Sequence, residues 1–133
     1  MSERRSIGFV GVGVMGNPMA KHLLAKGHEV IVYDCNDTAQ RAMVEAGATG
    51  AKSVRDVADR APVVFTSLPS PGVFIDVILG NGGLLEGSAV KVVVDLSTVG
   101  ARATKHAAAG LLAKGIDLVD APRLNLRRVD AAP

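Results

Sequence analysis

Short apolar runs alternate along the chain with segments in which apolar side chains recur at helical spacing. The apolar runs predict six strands, at residues 7–10, 30–33, near 48–51, 63–66, 91–96 and 116–119. The intervening segments predict five helices, at about residues 14–26, 38–46, 53–60, 72–79 and 101–114. Because alternating strands and helices are joined by right-handed crossovers, we expect an α/β fold: a doubly wound parallel sheet in three layers, α/β/α.

Two local signals refine the predicted helix ends. Pro18 is expected in the first turn of the first helix, where its missing N–H does no harm. Ser53 and Asp56 have the spacing of a capping box, which predicts that a helix begins after Ser53.

Length and composition predict one domain. The 133 residues are 48% hydrophobic but only 3% aromatic, which suits a single sheet of small aliphatic side chains covered by helices. We place this domain at residues 1–122. Residues 123–133 show neither period and include Arg123, Arg127 and Arg128, so we predict an irregular, divergent tail.

Charge and cysteine content argue against several functional classes. The net charge is only +2 and the basic residues are scattered, so we expect no nucleic-acid partner. One cysteine excludes an internal disulfide, three dispersed histidines give no metal-ligand spacing, and we therefore expect no metal and a cytoplasmic location. The apolar run that follows Arg4 and Arg5 could begin a secretory signal, but its glycines and short length favour a buried strand and no membrane span.

A glycine-rich turn follows the first predicted strand and opens the first predicted helix. Its residues are Gly11, Val12, Gly13, Val14, Met15 and Gly16. In such a turn the first glycine permits the sharp bend, the second lets a pyrophosphate approach the backbone, and the third allows close packing of helix on strand. The helix N–H groups then face the anion, which predicts a dinucleotide site.

Asp34 ends the second predicted strand, 18 residues after Gly16. A carboxylate there can accept hydrogen bonds from both hydroxyls of the adenosine ribose, and the alternative is an ordinary strand-end turn residue. The order of turn, helix, strand and acid is that of a Rossmann-type fold and favours the ribose contact. An acid also repels a 2′-phosphate, so NAD is favoured over NADP as the cofactor.

Two further segments end predicted strands, at residues 66–69 and 95–98. Open α/β sheets bind ligands at the carboxyl ends of their strands, so both segments are expected to line the cleft. For Ser97 and Thr98, a second interpretation is an N-cap of the following helix.

Residues 11–20, 27–30 and 33–34 together closely resemble the β-hydroxyacid dehydrogenases, a family that includes 3-hydroxyisobutyrate dehydrogenase, tartronate semialdehyde reductase and, more distantly, 6-phosphogluconate dehydrogenase. The similarity continues through residues 68–69, 83–85, 95–98 and 120–122 in the same order. The resemblance implies hydride transfer between a nicotinamide and a short β-hydroxy acid. It also implies that Leu68, Pro69 and Thr98 contact the cofactor and that Ser97 lies near the substrate.

The chain departs from the family pattern after Pro122, where the family has a Val-Ser-Gly-Gly segment that holds the substrate. The family's catalytic lysine and its helical second domain follow that segment, so the resemblance assigns no catalytic residue here. We expect dinucleotide binding by a catalytically incomplete chain. The surface left bare by the missing domain would favour self-association or pairing with another chain. The alternatives are a non-catalytic interaction module, or another nucleotide or S-adenosylmethionine on the same fold.

Overall fold

The strands form one mostly parallel sheet, as the sequence predicts. A computed structural model describes residues 5–97, 99–121 and 127–128. Within them the sheet runs in the order β3-β2-β1-β4-β5-β6-β7, with the first six strands parallel and β7 antiparallel to β6. The strands are β1 (Ser6–Val10), β2 (Glu29–Tyr33), β3 (Thr49–Gly50), β4 (Val63–Thr66), β5 (Val92–Asp95), β6 (Asp117–Asp120) and β7 (Arg127–Arg128).

Helices connect consecutive parallel strands, as the alternating pattern predicts. They are α1 (Gly13–Ala25), α2 (Asp37–Glu45), α3 (Val54–Arg60), α4 (Pro71–Leu79) and α5 (Ala101–Leu112), and a 3₁₀ turn at Leu84–Glu86 precedes β5. The Rossmann-type fold is therefore confirmed. The capping prediction is also confirmed at Ser53, whose Oγ accepts a hydrogen bond from the Asp56 N–H at 3.0 Å.

The sheet buries a hydrophobic core on each face, because side chains alternate along every strand. One core lies beneath α1 and α2 and includes Phe9, Val32 and Met43, all fully buried. The other lies beneath α3, α4 and α5 and includes Val64, Phe74 and Leu111. This arrangement gives the three layers expected from the sequence.

Gly8 lets α3 approach the centre of the sheet. A Cβ built on Gly8 would lie 2.4 Å from Cγ1 of Val57, a fully buried residue of α3. The helix therefore packs directly on the backbone of β1, in the middle of the sheet.

Three local predictions differ from the structure. Pro18 lies inside α1 rather than in its first turn, because the helix begins at Gly13. The N-cap of α5 is Gly100, so neither Ser97 nor Thr98 has that position. Residues 127–128 form β7, whereas the sequence predicts an irregular tail from residue 123; the other residues of that tail lie outside the described ranges.

Candidate dinucleotide site

The glycine-rich turn crosses from β1 to α1 directly against the loop that follows β4. Gly11 has φ +75°, and a Cβ on it would lie 2.2 Å from the carbonyl oxygen of Ser67. Its N–H donates to the carbonyl oxygen of Tyr33 at 2.9 Å, which ties the turn to the end of β2. Both the backbone conformation and the close approach require glycine at this position.

Asp34 connects the end of β2 to this turn. Its Oδ2 accepts a hydrogen bond from the Val12 N–H at 3.0 Å, and its Oδ1 accepts one from the Asn36 N–H at 2.9 Å. The backbone N–H of Asp34 donates to Oε1 of Gln40 at 2.9 Å, and Nε2 of Gln40 donates to the Ala51 carbonyl at 3.0 Å. The carboxylate is therefore fixed in orientation beside the turn.

The N-terminus of α1 is suited to an anion. In α2, α3 and α4 a side chain caps the first turn: Asn36, Ser53 and Ser70 each accept a hydrogen bond from a backbone N–H. The α1 helix has no side-chain cap and no acidic residue in its first turn, and it shares both features with α5. The free N–H groups and the positive end of the helix dipole of α1 therefore fit a pyrophosphate, whose oxygens would accept those hydrogen bonds.

The loops after β4 and β5 are joined by a short hydrogen bond. The Leu68 N–H donates to Oγ of Ser97 at 2.6 Å, and Ser97 is only 8% exposed. Leu68 is half-buried and its Cδ2 lies 2.9 Å from the position of a Cβ on Gly11, whereas Pro69 is exposed. Leu68 thus contacts the glycine-rich turn through its side chain and the loop after β5 through its backbone.

A buried carboxyl group lies beneath these loops. Asp95 is fully buried, and its Oδ1 accepts hydrogen bonds from Oγ1 of Thr66 at 2.8 Å and from the Ser97 N–H at 3.2 Å. Burial raises the pKa of this carboxyl above its ordinary value of 3.8. Hydrogen bonds from the Thr66 side chain and from the side chain and backbone of Ser97 oppose that rise, while the Asp120 carboxylate adds to it.

The structure brings most of the predicted site residues to one edge of the sheet. Gly11, Val12, Asp34, Leu68 and Ser97 are linked by the contacts described above. Residues 13–16 form the first turn of α1, and Thr98 lies outside the described residues.

Sequence reasoning missed Gln40 and the hydrogen-bonding role of Asp95. Gln40 lies in the second turn of an amphipathic helix, where glutamine is common, so no local signal marks it. Asp95 could have been noticed as a carboxylate in a run of buried valines, since a charged residue in such a strand needs partners.

Among the described residues, no other arrangement suggests a reaction centre. No group of three or more His, Cys, Asp or Glu side chains in the described ranges could hold a metal ion. His22 and His106 are exposed on helices. A groove of about 720 Å³ between α4 and α5, lined by residues that include Ile75, Val99 and His106, contains none of the predicted site residues. None of the described helices is both long enough and apolar enough to span a bilayer.

Comparison with known proteins supports a dinucleotide site. A family model described as the NAD binding domain of 6-phosphogluconate dehydrogenase matches residues 6–123. The 3-hydroxyisobutyrate dehydrogenase of Pseudomonas aeruginosa is 40% identical over 117 residues, which cover 87% of this chain and 39% of that protein. The chain spans close to 40% of the length of the curated relatives it matches.

Solved structures share the fold. The 3-hydroxyisobutyrate dehydrogenase of Mycobacterium tuberculosis, solved with L-serine, superimposes with a TM-score of 0.82 at 28% identity, covering 90% of this chain and 40% of that one. Psf3, solved in complex with NADP+ and 2-OPP, superimposes with a TM-score of 0.78 at 26% identity, covering 87% of this chain and 42% of that one.

Proposed function

Because the chain belongs to the family of NAD-binding domains found in 6-phosphogluconate dehydrogenase and 3-hydroxyisobutyrate dehydrogenase-like proteins, we propose that it binds NAD in preference to NADP. The observation that carries this proposal is the fixed carboxylate of Asp34 beside the glycine-rich turn. Dinucleotide binding follows from the family, while the preference for NAD follows from this residue and its surroundings.

The hydrogen bonds of Asp34 support recognition of an unmodified ribose. Each carboxylate oxygen accepts one backbone N–H and keeps a further lone pair for a ribose hydroxyl. A 2′-phosphate would bring a second negative charge against a carboxylate that cannot turn away. The first cation after Asp34 is Arg41, and it already pairs with Asp37 at 2.6 Å. The solved complex of Psf3 contains NADP+, so the preference has to be tested on this chain directly.

The remaining site residues are proposed to act along the same cleft. The backbone of residues 11–16 would hold the pyrophosphate. The rest of the cofactor would contact Leu68, Pro69 and Thr98, and Ser97 would lie near the substrate. The bound nicotinamide supplies the hydride chemistry. We propose a short β-hydroxy acid as the substrate class of the whole oxidoreductase and a cytoplasmic location. A polypeptide of these 133 residues should bind the cofactor without turning over such a substrate.

Calorimetric titration of the 133-residue chain with NAD and with NADP tests the proposal. We expect saturable NAD binding and weaker NADP binding. Asp34→Ala should weaken NAD binding about tenfold or more, because it removes both the ribose contact and the acceptor of the Val12 N–H. Asp37→Ala is the matched control, since it removes a neighbouring exposed acid that pairs with Arg41, and it should change NAD affinity less than twofold.

Two results would contradict the proposal in different ways. Equal affinity of the folded chain for NAD and NADP would remove the preference but leave the dinucleotide site. If the folded chain binds neither nucleotide, then the site is not functional in this polypeptide.

A second proposed role, pairing with another copy or another chain, is favoured by an open part of the sheet. On the face that α1 and α2 cover elsewhere, Phe65 and Val94 pack at the edge of the core and are only partly buried. Val63 and Val92 are register partners on that same face and are also partly exposed. Light scattering should detect a dimer that Val63→Glu dissociates, and a monomer at all concentrations would count against self-association.

A further inference from the structure

The two carboxyl oxygens of Asp95 are unequally hydrogen-bonded within the described residues. The Thr66 hydroxyl and the Ser97 backbone N–H both donate to Oδ1. Oδ2 is buried and has no hydrogen-bond partner within the part of the chain described. Burying a carboxyl group in this way costs stability, while its bonds to Oδ1 connect the end of β4 to the residue that follows Leu96.

Ser97 connects Asp95 to the loop that follows β4. Its backbone N–H donates to Oδ1 of Asp95 at 3.2 Å, and its Oγ accepts the Leu68 N–H at 2.6 Å. Because one residue makes both bonds, holding the Ser97 backbone also fixes the position from which its Oγ accepts the Leu68 amide. The resulting chain of hydrogen bonds runs from the end of β5 to the loop after β4.

That loop is in direct contact with the glycine-rich turn. The Ser67 carbonyl and the Leu68 side chain occupy the space where a Cβ on Gly11 would lie, at 2.2 and 2.9 Å. A displacement of Leu68 would therefore move the atoms against which the glycine-rich turn packs. Through Ser97 and Leu68, a carboxyl that is wholly buried is connected to the segment expected to hold the pyrophosphate.

We propose that Asp95 is a positioning residue for the dinucleotide cleft: by accepting the Ser97 N–H it places Ser97 Oγ as the acceptor for the Leu68 amide and so fixes the loop after β4 against Gly11. It acts without touching the cofactor, since it is fully buried. The proposal rests on the dinucleotide site proposed above, and it gives Ser97 a role in building the cleft in addition to any contact with substrate.

Two variants test the connection. Ser97→Ala removes the acceptor of the Leu68 N–H. Asp95→Leu has a similar volume but no acceptor oxygen, so it removes the bonds to the Thr66 hydroxyl and to the Ser97 N–H. Each variant should speed hydrogen exchange of the Leu68 amide about tenfold and weaken NAD binding about tenfold, the effect expected when one hydrogen bond is lost. The double variant should be no worse than Ser97→Ala alone, because both changes break one chain of bonds.

Ser70→Ala is the matched control. Ser70 also lies in the loop after β4, and its hydroxyl accepts the Val73 N–H in the first turn of α4 at 3.3 Å, but the hydrogen bonds to Oδ1 of Asp95 come from Thr66 and Ser97 instead. This variant should leave Leu68 exchange and NAD affinity within twofold of the wild type.

Exchange of the Leu68 amide is measured by NMR on the cofactor-free chain, so it reports on the link even if the wild type binds neither NAD nor NADP. In that case the proposed function fails while the positioning role is still tested. The positioning role is overturned if Asp95→Leu leaves Leu68 exchange unchanged while Ser97→Ala accelerates it, or if Ser70→Ala is as damaging as Ser97→Ala.

Discussion

Replacing Gly11 by alanine probes the close contact on which the cleft is built. The new methyl group would face the Ser67 carbonyl oxygen at 2.2 Å and Cδ2 of Leu68 at 2.9 Å. The leucine side chain can rotate, but the carbonyl belongs to a backbone loop held by the Leu68 to Ser97 hydrogen bond. Gly11→Ala should therefore displace the loop or the turn rather than a single side chain.

The expected cost has two parts. An alanine at φ +75° is strained by ~1–2 kcal/mol relative to glycine. Forcing a methyl group into filled space costs a further ~1–3 kcal/mol. Gly27→Ala isolates the first part, because Gly27 has φ +89° but no atom within 4 Å of its built Cβ. Gly11→Ala should thus lose ~2–5 kcal/mol of unfolding free energy and Gly27→Ala only ~1–2 kcal/mol.

Urea unfolding and thermal melts of the two variants measure this difference. A gap of 1–3 kcal/mol corresponds to a Tm about 4–12 °C lower for Gly11→Ala than for Gly27→Ala in a domain of this size. Calorimetry should also show that only Gly11→Ala weakens NAD binding. If the two variants melt at the same temperature and bind NAD equally, then the contact between the turn and the loop after β4 does not constrain the site, and the reasoning fails.

Three further predictions concern stability. The pKa of Asp95 is raised in the folded chain, so the stability that its protonated carboxyl contributes is fully present below the ordinary pKa of 3.8 and is lost as pH rises through the raised pKa. The free energy of unfolding should fall by at most ~1.4 kcal/mol per pH unit in this range. Asp95→Asn should remove this decline of stability with pH. Midpoints of urea unfolding that still fall with pH as in the wild type would refute the prediction. Gly8→Ala should lose ~1–3 kcal/mol by colliding with Val57, and Val57→Ala in the same chain should recover part of the loss in melting experiments. Ser53→Ala should lose ~1 kcal/mol of unfolding free energy, and an unchanged Tm would show that its cap bond contributes nothing.

Sequence reasoning succeeded where a single local pattern decides the structure. The run of valines in β5 and the glycine-rich turn before α1 each carry their signal within a few residues. The helices lie within about two residues of their predicted ends. Asp34 lies beside the turn, as its spacing from Gly16 predicts, because that distance is set by one helix and one strand.

Features that depend on contacts between distant segments were not predicted. Gly8 looks like an ordinary strand glycine until α3 is seen to pack on it through Val57. Ser97 looks like a helix cap by residue type, but Gly100 occupies that position and the Ser97 hydroxyl instead accepts a hydrogen bond from another strand's loop. Pro18 was misplaced because the helix begins at Gly13, a residue with low intrinsic helix propensity.

The central position of β1 has a consequence for how the domain assembles. Its first partner, β2, follows after a single helix, whereas its second partner, β4, is synthesised only after β3 and two more helices. The first half of the sheet can therefore form early, but pairing of β1 with β4 must close a long loop and should be slow. The loop after β4 packs against Gly11, so the nucleotide site is complete only when β4 has joined the sheet. A nucleotide present during refolding should therefore stabilise only the completed sheet. It should slow unfolding without accelerating the first steps of folding.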